Sequence, residues 1–434
     1  MKGRDVSGGS RSATGGNIRA NFPIFAHQER VEGARSIPFA YLDSAASTQK
    51  HSSVIARLSQ YLSCEHANIH RGAYRLSAEA TRLYDEAREK VARFLGAAPR
   101  NIIFTRGTTE SVNLVASALR KKWRHGDVIL LSYLEHHSNI VPWQMIADQV
   151  GMRVEFVDID PHARLEVNDF LTKLAQLRPA LVSLTALSNA FGTLLPVRDL
   201  VREARAMGAL TMVDGAQIVA HAPVDVSEIG CDFFAFSGHK LYGPTGIGAL
   251  YVRDEAYDYM EPYQGGGDMI QTVTVNGSTW ADVPQRFEAG TPAIAEAIAL
   301  GAAVDMLTSI GWQAIQAHER ELFDAAWQLL SQESGVSLYG PRTARAAGDS
   351  GKSLQDQASI LPFNVEGVHP HDLSSIADDS NVQIRAGHHC AMPALARLGL
   401  QSTARASIGI YSERADFEQL IEAIRKAKRI FGRA

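Results

Sequence analysis

Between Tyr41 and Val252 short apolar runs alternate with longer amphipathic ones, and this alternation leaves few architectures open. Ile102–Phe104, Val128–Leu131, Val154–Val157, Leu181–Leu184, Leu210–Val213, Phe233–Phe236 and Ala249–Val252 read as strands buried on both faces. Ser77–Leu95, Glu110–Lys122 and Val197–Met207 read as helices between them. Strands alternating with helices predict an α/β domain with a mostly parallel sheet. Such sheets bind ligands at the carboxyl ends of their strands, so the polar residues that follow each apolar run are the place to seek a site.

From about Ala302 onward long helices with a few strands take over, and 434 residues are enough for a large domain plus a smaller one. Phe363–Val365 and Val382–Arg385 read as strands of that second unit and Asp416–Arg429 as its final helix. Thr343–Gln357, rich in Ala, Gly, Ser and charge, reads as a surface loop. The first twenty residues are Gly- and Ser-rich, basic, and without the apolar core of a secretory signal. They suit a flexible tail, with a transit peptide as the alternative. The net charge of −4 gives no reason to expect nucleic-acid or membrane binding. No apolar stretch approaches the roughly 20 residues that span a bilayer. Three cysteines, Cys64, Cys231 and Cys390, are too few and too odd for a disulfide framework and point to a reducing compartment, taken as the cytoplasm. No Cys-x-x-Cys or His-Glu-x-x-His spacing suggests a metal site.

Five segments carry chemistry. Thr105-Arg-Gly-Thr-Thr-Glu110 follows a strand and opens a helix, so free N–H groups, the helix dipole and the hydroxyls of Thr108 and Thr109 can hold an anion. A plain helix cap is the alternative. Ser237-Gly-His-Lys240 follows Phe233–Phe236; a desolvated lysine there has a lowered pKa and attacks carbonyls, unless it is a loop lysine at the surface. Asp214-Gly-Ala-Gln217 ends another strand, as a partner for a cationic ring nitrogen or as a helix cap. Glu135-His-His-Ser-Asn139 offers a histidine that can stack on an aromatic ligand or move protons, or serve structure alone. Arg385-Ala-Gly-His-His-Cys-Ala-Met-Pro393 sets a cysteine among positive neighbours in a loop that can carry it to a substrate; a metal ligand or an inert thiol is the alternative. Cys231, ahead of a buried strand, reads as packing.

Taken in order, these motifs resemble the cysteine desulfurases of the SufS type, in the class V aminotransferase group of fold-type-I pyridoxal phosphate (PLP) enzymes. The resemblance runs from about Phe22 to the C-terminus. It also rests on Tyr41-Leu-Asp-Ser-Ala-Ala-Ser47, Asn68-Ile-His-Arg-Gly72, Phe236 to Gly246, Gly265-Gly-Gly267, Arg286-Phe-Glu-Ala-Gly-Thr-Pro292 and Thr403-Ala-Arg-Ala-Ser407. It implies an α/β fold with a large, mostly parallel-sheet PLP-binding domain over 36–305. A smaller α+β domain over 21–35 plus 306–434 would carry the cysteine loop, with 1–20 a disordered tail.

The resemblance also implies roles. Lys240 would hold PLP and move the substrate α-proton, Asp214 would pair with the ring nitrogen, Gln217 would bond the ring oxygen and His136 would stack on the ring. Thr108, Thr109, Ser237 and His239 would bind the phosphate, and Thr291 would reach the phosphate of the other subunit of a homodimer. Asn189 and Arg405, with Arg385 and His70 nearby, would bind the substrate carboxylate. Cys390 would take sulfur from L-cysteine as a persulfide, leaving L-alanine, and pass it to an acceptor protein of SufE or SufU type for iron–sulfur clusters or other sulfur cofactors. The runner-up is a selenocysteine lyase or another class V PLP enzyme. Tyr74 stands where this family commonly has a histidine, and Leu187–Gly192 is a looser match.

Overall fold

The computed structural model describes residues 18–32, 35–70, 72–344 and 357–432. Seven strands form its main sheet: β1 (Ile102–Thr105), β2 (Val128–Ser132), β3 (Arg153–Val157), β4 (Leu181–Thr185), β5 (Leu210–Asp214), β6 (Phe233–Ser237) and β7 (Gly248–Val252). Their spatial order is β1-β7-β6-β5-β4-β2-β3. All pairings are parallel except those of β7, which runs antiparallel to both β1 and β6. Helices cover both faces, which is why all but β3 are buried along their whole length and read as apolar runs. One face packs Phe234, Phe236 and Ala249 with Tyr84, Val91 and Leu300 from helices Arg75–Phe94 and Ile294–Ile310. The other packs Ile129, Leu131 and Met212 with Val112, Val115 and Trp143. Each of the Val, Leu, Ile, Phe and Met side chains among them contributes roughly 1.5–3 kcal/mol on burial.

The register decides where the site can lie. Gly248 of β7 stands between Thr105 of β1 and Ser237 of β6, and Asp214 of β5 stands beside Thr185 of β4. A Cβ on Gly248 would meet the Phe236 carbonyl at 2.4 Å and the Gly107 Cα at 2.6 Å. Only glycine lets the turn at Gly107 lie across this end of the sheet.

A second sheet is antiparallel: β8 (Val336–Leu338), β9 (Ile360–Val365), β10 (Arg385–Gly387) and β11 (Thr403–Ser407), in the order β8-β9-β11-β10. Helices Trp312–Gln332 and Arg414–Ile430 supply Leu322, Phe323, Phe417 and Leu420 to the core beneath it. Val382–Arg385, expected as one strand, is two. Val382–Gln383 pairs in parallel with Ala40–Tyr41, and the chain changes partner at buried Ile384 so that Arg385 joins β11.

Ile18–Ala20, expected within the tail over 1–20, are folded. Ile18–Asn21 forms a 3-10 turn, held because the Arg19 guanidinium pairs with Asp416 at 2.8 Å and donates to the Phe39 carbonyl at 2.6 Å. Residues 1–17 and most of the Thr343–Gln357 loop, 345–356, lie outside the described residues. Gln357 itself is buried, donating to the carbonyls of Phe191 and Ile360.

Candidate active site

Five strand ends, those of β1, β2, β4, β5 and β6, meet around a cavity of about 170 Å³. β6 runs into a 3-10 turn, Gly238–Lys240, that places the Lys240 ammonium in this cavity. The turn is fastened from outside. The His239 carbonyl accepts the Thr48 N–H and hydroxyl, each at 3.0 Å, and the Lys50 ammonium at 3.0 Å. Burial pushes the Lys240 ammonium down to about 8, with Asp214 pulling the other way and Arg405 and Arg385 adding to the shift. A lysine so placed is a good nucleophile near neutral pH.

Asp214 ends β5, almost fully buried, and its carboxylate accepts the Ala216 N–H at 2.9 Å. Burial raises its pKa, and that hydrogen bond and Lys240 oppose the rise. Gln217 turns its amide to the Ala45 carbonyl at 2.8 Å. His136 follows β2 and caps the short turn His137–Asn139, its Nδ1 accepting the Ser138 N–H at 3.0 Å. The neutral ring therefore carries its proton on Nε2. Burial, reinforced by Lys240, pushes its pKa down to about 3.

The helix after β1 starts at Thr108 rather than Glu110, with Gly107 at φ 145° making the turn. The Thr108 N–H and hydroxyl both meet the Ser237 hydroxyl at 2.9 Å, and Thr109 stands exposed at the mouth. His239 joins them, its pKa pushed down to about 4 by burial and by Lys240 and Lys50. Hydroxyls, N–H groups and a helix N-terminus make this end of the cavity an anion cradle.

At the opposite end Asn189 donates to the His389 carbonyl at 2.6 Å, and its Oδ1 is buried without a partner. Wholly buried Arg405 donates to the Asn189 carbonyl at 2.8 Å and to Asp43 at 2.9 Å, leaving its Nε–H without an acceptor. Arg385, across from Arg405 on the neighbouring strand, lines the cavity and stands beside Cys390. Among the described residues it forms no ion pair.

The loop between β10 and the helix Met392–Arg397 is short and tethered. His389 and Cys390 both take left-handed backbone, at φ 51° and 56°, on the order of 1 kcal/mol of strain each. The His137 N–H donates to the Cys390 carbonyl at 2.8 Å, the Met392 N–H to His137 Nε2 at 3.1 Å, and His389 Nε2 meets the Thr403 hydroxyl at 2.8 Å. These bonds hold a half-buried thiol at the cavity's edge. Cys231 is fully buried and its thiol pKa is raised by burial, as packing requires, while Cys64 is exposed away from the site.

Thr108, Thr109, His136, Asn189, Asp214, Gln217, Ser237, His239, Lys240 and Arg385 thus line one cavity, with Cys390 and Arg405 against it. His70 and Thr291 are elsewhere. His70 lines a separate cavity of about 340 Å³ with Asp268, Glu288, Gly290 and Pro292, and Thr291 is exposed in that same loop. Sequence reasoning gave no role to Asp43, which holds Arg405, or to Glu135. A larger cavity, about 570 Å³, lies between Ile218, His221 and Glu319, without Lys240 or Asp214.

Residues 40–420 match the family model described as aminotransferase class V. The chain belongs to that family. A probable cysteine desulfurase of Halalkalibacterium halodurans is 42% identical over 96% of this chain and 98% of its own length. An apo cysteine desulfurase from Thermococcus onnurineus NA1 superposes with a TM-score of 0.87 at 36% identity, covering 95% of this chain and 98% of the other. The cysteine desulfurase CsdA of Escherichia coli, in its S-sulfonic acid form, gives 0.84 at 36% identity over the same shares.

The class V site fits PLP by its own donors. The cavity has a lysine whose ammonium is easily deprotonated, a buried carboxylate positioned for a cationic ring nitrogen, and an anion cradle where Gly107 leaves only 3.0 Å between an added Cβ and the Ser237 hydroxyl.

Proposed function

We propose that this protein is a PLP-dependent cysteine desulfurase that converts L-cysteine to L-alanine and keeps the sulfur on Cys390. The observation that carries this reading is a thiol 3.7 Å from Arg385 at the rim of a cavity that Lys240 and Asp214 also line or adjoin. A lyase that eliminates selenium, or an aminotransferase, has less need of a thiol tethered at that rim.

Lys240 would hold the cofactor and carry the α-proton between substrate atoms, a role its pKa of about 8 suits. PLP, when bound, supplies an electron sink for the charge left on the substrate carbon. Asp214 would hold the ring nitrogen protonated; Thr108, Thr109, Ser237 and His239 would hold the phosphate; Gln217 and His136 would fix the ring. Arg405 and Arg385, with Asn189, would fix the substrate carboxylate, turning its thiol toward Cys390. The Cys390 sulfur then bonds to the substrate sulfur as the substrate C–S bond breaks. The carbon takes up a proton, so cysteine and one thiol become alanine and one persulfide.

The enzyme is read as a homodimer. His70 lines a surface cavity apart from its own Lys240 and Thr291 is exposed between the lining residues Gly290 and Pro292, where a second copy can use them. Release of sulfur to an acceptor of SufE or SufU type, in the cytoplasm and toward iron–sulfur clusters, completes the proposal. A short tethered loop supports an acceptor that comes to Cys390, and three unpaired cysteines support a reducing compartment. The test is to incubate PLP-loaded protein with L-cysteine and quantify alanine and protein-bound persulfide. Both should form in wild type; formation of neither ends the desulfurase reading.

A further inference from the structure

Glu135 is fully buried three residues past the end of β2, and no cation pairs with it among the described residues. Its carboxyl accepts the Ser132 hydroxyl at 2.5 Å and the Asn139 amide at 2.7 Å. A backbone bond with Thr185 ties it to β4, where Thr185 stands in register with Asp214. Asn139 has no freedom left: its Oδ1 accepts the Trp143 indole N–H at 2.9 Å and the Ser183 hydroxyl at 2.6 Å. Between Glu135 and Asn139 lie three residues, His136, His137 and Ser138, and of these His136 and Ser138 line the cavity. Buried carboxyls without a cation are costly, so a fold keeps one only for what its hydrogen bonds fix.

We infer that Glu135 is the positioning residue for His136, closing the ends of the turn on Ser132, Asn139 and Thr185 so that the imidazole is held over the cavity. This rests on the desulfurase reading, in which His136 fixes the cofactor ring. The Ser138 N–H that orients His136 belongs to the same turn, and so does the His137 N–H that holds the Cys390 carbonyl. One buried carboxyl therefore sets two of the site's working parts. Burial pushes its pKa up to about 8, consistent with a group kept for hydrogen bonding rather than for charge.

The test is a double-mutant cycle. Glu135→Leu leaves the Asn139 amide without its acceptor; Glu135→Gln keeps an acceptor for it, since the Ser132 hydroxyl can turn to receive the new N–H. Glu135→Gln should stay within about threefold of wild-type kcat, and Glu135→Leu should lose about tenfold or more. The combination of Glu135→Leu with His136→Ala should be no slower than His136→Ala alone. In the cofactor-free protein, 15N NMR of the imidazole should show the Nε2–H form of His136 in wild type and Glu135→Gln and a mixture in Glu135→Leu. Fully additive losses in the cycle, or an unchanged His136 signal in Glu135→Leu, overturn the inference. If Glu135→Leu fails to fold, Asn139→Ala cuts the same link and goes through the same cycle with the same expected and overturning results. A wild type that makes no alanine overturns the desulfurase reading instead, and the NMR arm still judges Glu135.

Discussion

The Arg385 guanidinium stands 3.7 Å from the Cys390 sulfur and directly opposite Arg405 across two paired strands. Like charges so placed repel unless anions come between them. Asp43 serves Arg405, and among the described residues no carboxylate pairs with Arg385. Substrate carboxylate and sulfur are the anions this end of the cavity is short of.

Cys390→Ala should therefore keep the cofactor and still bind L-cysteine, while protein-bound persulfide falls from about one per chain to none. Mass spectrometry of the intact protein after cysteine addition checks it. Arg385→Ala should raise KM for L-cysteine by about tenfold, because a charge-assisted bond to the carboxylate is lost. A persulfide in the Cys390→Ala protein would place the acceptor sulfur elsewhere.

Lys240→Ala should lower alanine formation by about 10²–10⁴-fold, the usual weight of a positioned proton carrier, and abolish the visible absorbance of lysine-bound cofactor. The same lysine leaves a mark on the cofactor-free protein. Its folded pKa of about 8 lies below the ordinary 10.5, so the unfolded chain binds the extra proton between those values. This cost to stability is fully present below pH 8 and fades as pH rises toward 10.5. Lys240→Met should accordingly stabilise the apo-protein most below pH 8, with the gain shrinking through that window in urea titrations; an equal gain at every pH would show a lysine that is not desolvated.

Much of this was legible because burial on both faces writes strands as apolar runs. Phe233–Phe236 and Val128–Leu131 needed no partner to be recognised, and Lys240, Asp214 and His136 stood out as polar residues following such runs. What was hidden depends on distant pairing. The break at Ile384 exists because Ala40–Tyr41 offers a parallel edge on one side and β11 an antiparallel one on the other. Arg19 holds its turn through Asp416, 397 residues away. Glu135 looked like any acid in a loop, because Ser183 and Thr185, which make its surroundings, belong to β4.

Glu135 also predicts a pH effect on folding. Burial raises its pKa from 4.5 to about 8, so the folded chain holds the proton the unfolded chain has lost. Its contribution is complete below pH 4.5 and is lost as pH rises through 8. Glu135→Gln cannot ionise, so its stability relative to wild type should rise steadily between pH 4.5 and 8 and level off above. Paired urea titrations across that range check it, and a constant difference would mean that Glu135 ionises at its ordinary pKa.

Arg405 is the most demanding residue of the site, wholly buried, with its Nε–H unpartnered and its pKa lowered by burial. A buried donor without an acceptor costs about 1–3 kcal/mol, and an arriving carboxylate relieves that cost only for a substrate that has one. Arg405→Lys keeps the charge near Asp43 but loses the planar fork. It should lower kcat/KM for L-cysteine by about 10- to 100-fold, on the scale of one charge-assisted bond. Cysteamine, which lacks the carboxylate, should bind wild type and Arg405→Lys about equally, as judged by the change it causes in cofactor absorbance. If the substitution weakens both compounds alike, Arg405 supports the fold around Asp43 and Asn189 and does not read the substrate.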